Sequence, residues 1–497
     1  MKKPQNKSIM FLLLTISSIS NYGCAGDASC GEGLVQIDGR CVKDYDGDGF
    51  ASLDSGGNDC NDSNSAINPS AAEICDGQID NNCNGLSDDS DPETLSSSKF
   101  TYYLDSDGDG YGDPNTIAGA CSDPSGYSKV KNHYTLISVG YYHTCGLTAS
   151  GGVKCWGYNG SGALGDGTTT DSLIPVDVVT SAVDPTPLTG VKSISSGIEH
   201  TCALTELGKV YCWGYNYDGQ LGNGESGDLA NSSFPVSVLN LTEGASSISL
   251  GSNHTCTLTS LGGVKCWGYN FFGQSGDGSV VDFNPVPVEV KGLTSGVKKL
   301  FATKAENSCA LTSSGDLKCW GFNGDGQIGD GTRTDRREPV DVVTLTDKIT
   351  SLSSGSGHMC ALTVSGGVKC WGDNRSGQLG DGTIISSLVP VDVVGLESNV
   401  ISLFTGWNNN CVVTSSGEIK CWGDNYHGEL GNGEIETNYL IPVKVGDVGS
   451  GTVSISLDDH SCYVTSSGLA KCSGYNYNGQ LGNGLTEDSS VPVNVIW

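Results

Sequence analysis

Basic side chains are scarce. The chain of 497 residues carries 26 Lys and Arg against 56 Asp and Glu, a formal net charge of −30. A nucleic-acid binder neutralises phosphates with Lys and Arg, so this balance excludes DNA and RNA as partners. Long apolar runs are scarce too. The longest, Ile9 to Ile19, is shorter than the roughly 20 residues that span a bilayer as a helix. No helical period of apolar residues emerges, which excludes a helical bundle. No glycine-rich phosphate loop, Ser-His-Asp order or recurring pair of catalytic carboxylates is found, so the common hydrolase and nucleotide-binding patterns have no support.

Cysteine and glycine, by contrast, are plentiful, with 21 Cys and 72 Gly, and both recur at fixed places. Cys145, Cys202, Cys256, Cys309, Cys360, Cys411 and Cys462 are each followed ten residues later by a second cysteine: Cys155, Cys212, Cys266, Cys319, Cys370, Cys421 and Cys472. The period is about 50 residues, and such a period decides the architecture. Each unit holds four short strand patterns: one before the histidine ("ITSLSSG"), then "HTCALT", "GGVKCWGYN" and an apolar run around Pro-Val, where proline suits the first residue of a strand. One small twisted sheet cannot bury both faces alone, so seven such units predict an all-β fold, a seven-bladed β-propeller.

Glycine explains the cysteine spacing. Six residues after each first cysteine stands Gly151, Gly208, Gly262, Gly315, Gly366, Gly417 or Gly468. A three-residue hairpin loop commonly ends on a residue at positive φ, which glycine adopts without a Cβ penalty. The two cysteines then face each other across an antiparallel pair, with Cα atoms about 4.5 to 5.5 Å apart, within disulfide reach. Cross-strand disulfides Cys145–Cys155, Cys202–Cys212, Cys256–Cys266, Cys309–Cys319, Cys360–Cys370, Cys411–Cys421 and Cys462–Cys472 are expected. The alternatives are buried free thiols and a metal site, and zinc prefers closer cysteine pairs.

The unit "HTCALTELGKVYCWGYNYDGQLGNG" resembles the repeat of the regulator of chromosome condensation family, with its His-Ser/Thr pair, Trp-Gly-x-Asn and Gly-Gln-Leu-Gly-x-Gly. The resemblance covers about three quarters of the chain and implies the same seven-bladed propeller. Asn307 and Asn409 replace the histidine, Ser275 replaces Leu, and Ser473 replaces Trp. Exchange of His for Asn fits a neutral hydrogen-bonding role for His143, His200, His254, His358 and His460 better than catalysis. The Trp-Gly pairs read as blade packing.

Ahead of the propeller, "MKKPQNKSIMFLLLTISSISNYGC" has lysines, an apolar stretch and small or polar residues, the pattern of a signal peptide. Cys24 after Gly23 resembles a bacterial lipoprotein cleavage site, with Asn21 and Tyr22 departing from the usual residues. Export is expected whether or not Cys24 carries lipid, to the outer membrane, cell surface or extracellular space, and the cysteine count agrees with an oxidising compartment. Six cysteines then remain. Cys30 with Cys41 closes a small loop, and Cys60, Cys75, Cys83 and Cys121 allow three pairings.

Between Asp44 and Asp113 stand seventeen Asp and Glu against one basic residue, Lys99. They alternate: Asp44, Asp46 and Asp48 before Gly49; Asp80, Asn82, Asn84, Asp88 and Asp91 around Gly85; Asp105, Asp107 and Asp109 before Gly110, with Asp113 beyond. Alternating oxygen ligands with a glycine turn suit Ca²⁺. Full EF-hands are absent, since Ser55 and Thr116 stand at the twelfth position and only Asp91 keeps a carboxylate there. The stretch "GNDCNDSNSAINPSAAEICDGQIDNNCNGLSDD" resembles the metal-binding modules of the MopE type, with loops similar to thrombospondin type 3 repeats. Copper, which that resemblance also raises, lacks His or Met ligands here.

The expected organisation is a signal peptide (1–23), a cysteine-containing segment (24–43), an Asp-rich module (44–132) and seven repeats (134–182, 190–241, 245–292, 296–345, 348–396, 399–446 and 451–497). The expected function is noncatalytic binding outside the cytoplasm, with propeller loops recognising a protein or glycan and a Ca²⁺ module as a stalk. Contact with a membrane would come only through lipid on Cys24. The irregular segments "TSAVDPTPLTG", "GESGDLANSSF" and "GTRTDRREP" carry the individuality, the last with a basic cluster of Arg333, Arg336 and Arg337. The alternatives are a propeller enzyme acting on glycans and a secreted enzyme inhibitor, since some repeats of this class resemble β-lactamase-inhibiting propellers.

Overall fold

The computed structural model describes residues 30–105, 111–129, 131–183, 185–302, 304, 306–345, 347–446, 448 and 451–496. The expected signal peptide, Cys24, Asp107 and Asp109 lie outside the described residues. Two compact units are present, one from the residues up to 108 with 116–130, the other from 109–115 with 131–497.

The first unit is mostly loops. A hairpin joins Leu34–Ile37 to Arg40–Lys43, and Phe100–Leu104 is the middle strand of a three-stranded sheet with Asp113–Ala120 and Tyr127–Ser128. Between them lie only the short 3-10 turns Leu53–Ser55 and Asp88–Ser90. Among the described residues its buried apolar side chains are few: Ala51, Ile67 and Tyr102. Covalent links substitute for the missing core, which a small loop-rich unit requires. Cys30 stands at bonding distance from Cys41, Cys60 from Cys83, and Cys75 from Cys121.

The second unit is all β, a β-propeller of repeated four-stranded antiparallel sheets. The first sheet runs in chain order from Tyr134–Val139 through His143–Thr148 and Val153–Gly157 to Ser172–Asp177. Six more of the same order follow, across 191–237, 245–289, 297–341, 349–392, 400–444 and 452–494. The C-terminal strand Ser489–Asn494 pairs within the last sheet, opposite Ala470–Gly474. Proline sits differently from the expectation: Pro175 is inside its strand, where the register slips between Cys155 and Gly157. An outermost strand with an irregular register has an amide to spare, so proline removes no ladder bond.

Second and third strands meet with the cysteines opposite each other in all seven sheets, as in Cys309↔Cys319. Each pair stands at bonding distance with Cα atoms 4.1 Å apart. That is tighter than expected and belongs to the close kind of cross-strand pair, whose amides do not bond each other. Gly151 closes its hairpin at φ 82°, its N–H bonding the Thr148 carbonyl at 3.0 Å.

The cores lie between sheets. Cys145, Leu147, Val153, Cys155, Leu164 and Val178 of the first sheet region pack on Val191, Ile194, Ala203 and Trp213 of the second. Tyr134, Ile137, Val139 and Trp156 of the first likewise pack on Cys462, Val464, Ala470, Cys472 and Leu481 of the last. Where Ser473 stands in place of tryptophan, fully buried Tyr463 fills the volume from the adjacent strand.

Replacing Cys309 and Cys319 together by Ala is expected to lower unfolding free energy by at most about 2.5 to 3 kcal/mol, the chain-entropy value for a loop of about ten residues. Urea denaturation under nonreducing conditions measures it, and no loss would show that this pair is not bridged.

Candidate metal centre and propeller face

In the first unit the turn after Lys43 wraps its backbone around Asp44. The Asp44 carboxylate accepts the Gly47 N–H at 2.7 Å and the Gly49 N–H at 3.0 Å. Asp46 and Asp48 accept the Asp48 and Phe50 N–H groups at 3.3 and 2.9 Å, each through one oxygen. Sequence reading stopped there, but the chain returns. Asp59 and Asp62 come to the same place, with Asp62 accepting the Tyr45 N–H at 2.9 Å and Asp59 the Asn61 N–H at 2.8 Å. Carboxylate oxygens of Asp46, Asp59 and Asp62 gather within 4.8 Å, as do those of Asp44, Asp46 and Asp48.

The second oxygens of Asp46, Asp48, Asp59 and Asp62 are buried without a hydrogen-bond donor, and Asp59 is only 1% exposed. Buried carboxylate oxygens without a donor are costly unless a cation meets them. Burial raises the Asp46 pKa, with Asp48 adding to it, and burial raises that of Asp59, with Asp48 and Asp62 contributing. Five carboxylates and no nitrogen or sulfur ligand make a hard-cation site. Cysteine sulfurs lie near Asp59 and Asp88 as well, but those sulfurs are paired with each other and offer no thiolate.

The middle stretch is built differently. Asp80 accepts the Asn84 and Gly85 N–H groups at 3.1 and 2.8 Å, as Asp44 does in its own turn. Asn82 and Asn84, however, both donate to one oxygen of buried Asp91, at 3.0 and 2.8 Å. Asp88 accepts the Asp76 and Gln78 N–H groups. Asp80, Asn82, Asn84 and Asp91 thus come together while Asp88 faces another turn, and amide donors, with the Glu93 N–H foremost, satisfy the Asp91 carboxylate and lower its pKa. Of the third stretch, Asp105 and Asp113 are described and do not join the described acidic groups.

On the propeller, the repeated polar residues link neighbouring sheets. His143 Nε2 lies 2.7 Å from Thr201 Oγ1, His200 3.1 Å from Thr255, His254 2.8 Å from Ser308, and His358 2.9 Å from Asn410 Oδ1. His460 makes the same link to Thr144 at 2.7 Å, joining the last sheet to the first. Tryptophan repeats the pattern: Trp213 Nε1 donates to the Ala163 carbonyl and Trp156 Nε1 to that of Gln480. Burial pulls His143 and His358 down to about 4 and His200 to about 3, which keeps these rings neutral at neutral pH.

Two departures from the repeat meet across the axis. Glycine opens the turn between first and second strands at Gly140, Gly197, Gly355 and Gly406, where a Cβ would strike the following side chain or backbone. In the fourth sheet this turn is one residue longer, pairing Ala302 with Ser308 where the first pairs Val139 with Thr144; in the seventh it is one shorter, pairing Leu457 with Ser461. The longer turn carries Lys304 and the shorter one Asp458. Lys304 Nζ forms an ion pair with buried Asp458 and donates to the Leu457 carbonyl at 2.6 Å. Lys304 also lines a cavity of about 250 Å³ along the first strands, with serines such as Ser138, Ser249 and Ser456.

Glu429 is a third departure. Gln220, Gln274, Gln327, Gln378 and Gln480 hold its place in five other sheets, each buried, and Ala163 holds it in the first. Glu429 accepts the His427 N–H at 2.8 Å just as Gln480 accepts that of Asn478. Burial pushes its carboxyl up to about 8, with Asp424 adding to the shift. The arginine cluster bonds within the propeller: Arg336 bonds Asp330, exposed Arg333 the Gly324 carbonyl, and Arg337 the Phe271 and Ser279 carbonyls.

Repeated sheets, histidine and tryptophan links and a carboxylate cluster define a propeller protein with a small acidic module. A family model for the RCC1-like domain matches residues 110–457, and the chain belongs to that family. A model for a MopE-type metal-binding motif matches residues 59–89, which include Asp59 and Asp62. The chain is 32% identical over 367 residues to the Ultraviolet-B receptor UVR8 of Arabidopsis thaliana, covering 72% of this chain and 80% of that one. It is 33% identical over 276 residues to the mitochondrial RCC1 domain-containing protein RUG3 of the same plant, covering 54% and 59%. Among solved structures it resembles yeast RCC1 (Prp20) bound by Kap60, with TM-score 0.61, 22% identity and coverage of 70% and 84%. Human WBSCR16 follows with TM-score 0.59, 23% identity and coverage of 65% and 84%.

Glu429→Gln is expected to stabilise the propeller. The native carboxyl, raised to about 8, keeps its proton where the unfolded chain has lost it, so stability falls as pH rises from the unfolded value of 4.5 toward 8. The gain on substitution is expected to be up to roughly 3 kcal/mol at pH 7 and to vanish near pH 4. Urea titrations at both pH values measure it, and an equal effect at both would contradict the assignment.

Proposed function

We propose that this is an exported, noncatalytic binding protein whose propeller recognises a partner protein or glycan and whose Asp-rich module takes Ca²⁺. One observation carries the reading: the histidines and tryptophans that repeat are tied up in linking sheets, so what varies between sheets is left for recognition. The relatives support it, since UVR8 is a receptor and yeast RCC1 is held by Kap60 in its structure. The cysteine pairs support an oxidising location. Export and any lipid on Cys24 rest on the N-terminal sequence alone.

For the metal, Asp44, Asp46, Asp48, Asp59 and Asp62 are the residues that would hold it. An all-oxygen carboxylate set without His or Met suits Ca²⁺ better than copper. Bound there, the ion would meet the donor-less oxygens and tie the turn at 44–50 to the chain at 59–62. The middle stretch, with its carboxylates amide-bonded, is the weaker candidate.

Calorimetric titration with Ca²⁺ is expected to show uptake that Asp59→Asn weakens at least tenfold and Asp91→Asn leaves within threefold. Equal loss in both variants would move the centre to the middle stretch, and no uptake at millimolar Ca²⁺ would remove it. For the binding role, incubating the mature protein with glycan and peptide substrates is expected to yield no turnover. Turnover abolished by Glu429→Gln would make the protein an enzyme.

A further inference from the structure

In every sheet the chain leaving the third strand bonds the turn between the first two. The Tyr158, Tyr215, Tyr269, Phe322, Asp373, Asp424 and Tyr475 N–H groups donate to the carbonyls of Tyr142, Glu199, Asn253, Glu306, Gly357, Asn408 and Asp459. These side chains therefore share one end of the propeller, away from the hairpins that hold Gly151 and its equivalents. Aromatic rings concentrate there. Tyr215 stacks with Tyr217 and Tyr269 with Phe271, each pair with centroids 6.4 Å apart, and Phe272 lies 5.0 Å from Phe271 and 4.8 Å from Phe322. Tyr217 and Phe271 are about half exposed, at 47% and 52%.

Two carboxylates accompany this shelf. Glu306 stands in the lengthened turn of the fourth sheet at φ 57°, a costly conformation for a residue other than glycine. Amides hold it: Asn253 at 3.4 Å and Gln274 at 2.9 Å, with His254 Nδ1 at 3.6 Å. Asp218 is next to Tyr217, and burial pushes its carboxyl up to about 6, with Glu306 adding to the shift. The cations nearby are engaged: Lys304 with Asp458, Arg375 with Asp373 and Asp325, and Arg337 with the carbonyl of Phe271 itself.

We propose that this shelf is a docking surface for a Lys- or Arg-rich peptide segment, a cationic side chain lying on Tyr217 and Phe271 with Asp218 and Glu306 as its counter-ions. It rests on the binding reading above and gives it a partner chemistry. An exposed ring attracts a cation through its face, and a carboxylate beside the ring adds directional hydrogen bonds. A net charge of −30 steers a basic partner toward the molecule. The shelf then selects where it docks. A neutral glycan also stacks on aromatic rings, and its hydroxyls can donate to carboxylates, but it brings no charge to balance them.

The test uses the mature protein and a fluorescent decapeptide of alternating Arg and Gly, with a glutamate decapeptide and a neutral oligosaccharide as comparisons. Anisotropy is expected to show binding of the arginine peptide only, weakening steeply with salt. Phe271→Ala and the pair Asp218→Asn/Glu306→Gln are each expected to weaken it about tenfold. The pair Glu206→Gln/Asp316→Asn removes equal charge from the hairpins at the other end and is expected to change it less than twofold. Thermal melts check that each variant is folded. Equal weakening by both pairs, or oligosaccharide binding lost in Phe271→Ala, would overturn the proposal. Failure of the peptide to bind, with the protein still inert toward substrates, would remove this partner chemistry while leaving the noncatalytic reading in place.

Discussion

Everything on the propeller depends on one constraint: a four-stranded sheet of this size buries neither face alone. Its cysteines, valines and leucines become core only when the next sheet covers them. The hydrogen bond from a buried histidine to the next sheet's hydroxyl fixes how two sheets register, and burial keeps the ring neutral so that the bond holds. Because His460 reaches Thr144 and Trp156 reaches Gln480, the terminal sheets are held as the internal ones are.

That constraint separates structure from recognition. Side chains in the inter-sheet links cannot vary without weakening two sheets at once, which restricts individuality to turns at the ends of strands. The turns of the fourth and seventh sheets show it best. An added residue in one and a missing residue in the other bring Lys304 to Asp458, and the longer turn also carries Glu306. A charge pair so buried stabilises little by itself, but removing either partner would strand the other.

Much of this was legible in the sequence and some was not, for physical reasons. The cysteine spacing, the hairpin glycines and the strand patterns are local signals, and local geometry obeyed them, as in Gly151 and the opposed Cys145 and Cys155. The first carboxylate loop was half legible. Asp44, Asp46 and Asp48 alternate along one turn, whereas Asp59 and Asp62 join through chain reversal, which no ligand spacing records. In the middle stretch Asn82 and Asn84 read as oxygen ligands, but an amide presents a donor as readily as an acceptor, and Asp91 takes the donor. Glu429 stood in plain view where five other units have Gln, and only its burial gave the substitution meaning.

The measurement that bears most directly on the account is native-state hydrogen exchange on the propeller. If the inter-sheet links make it one cooperative body, the amides of the second strands, from His143–Thr148 to His460–Thr465, should exchange with one common free energy, terminal sheets included. Faster exchange confined to the first and last sheets would show that the His460 to Thr144 and Trp156 to Gln480 links do not join them.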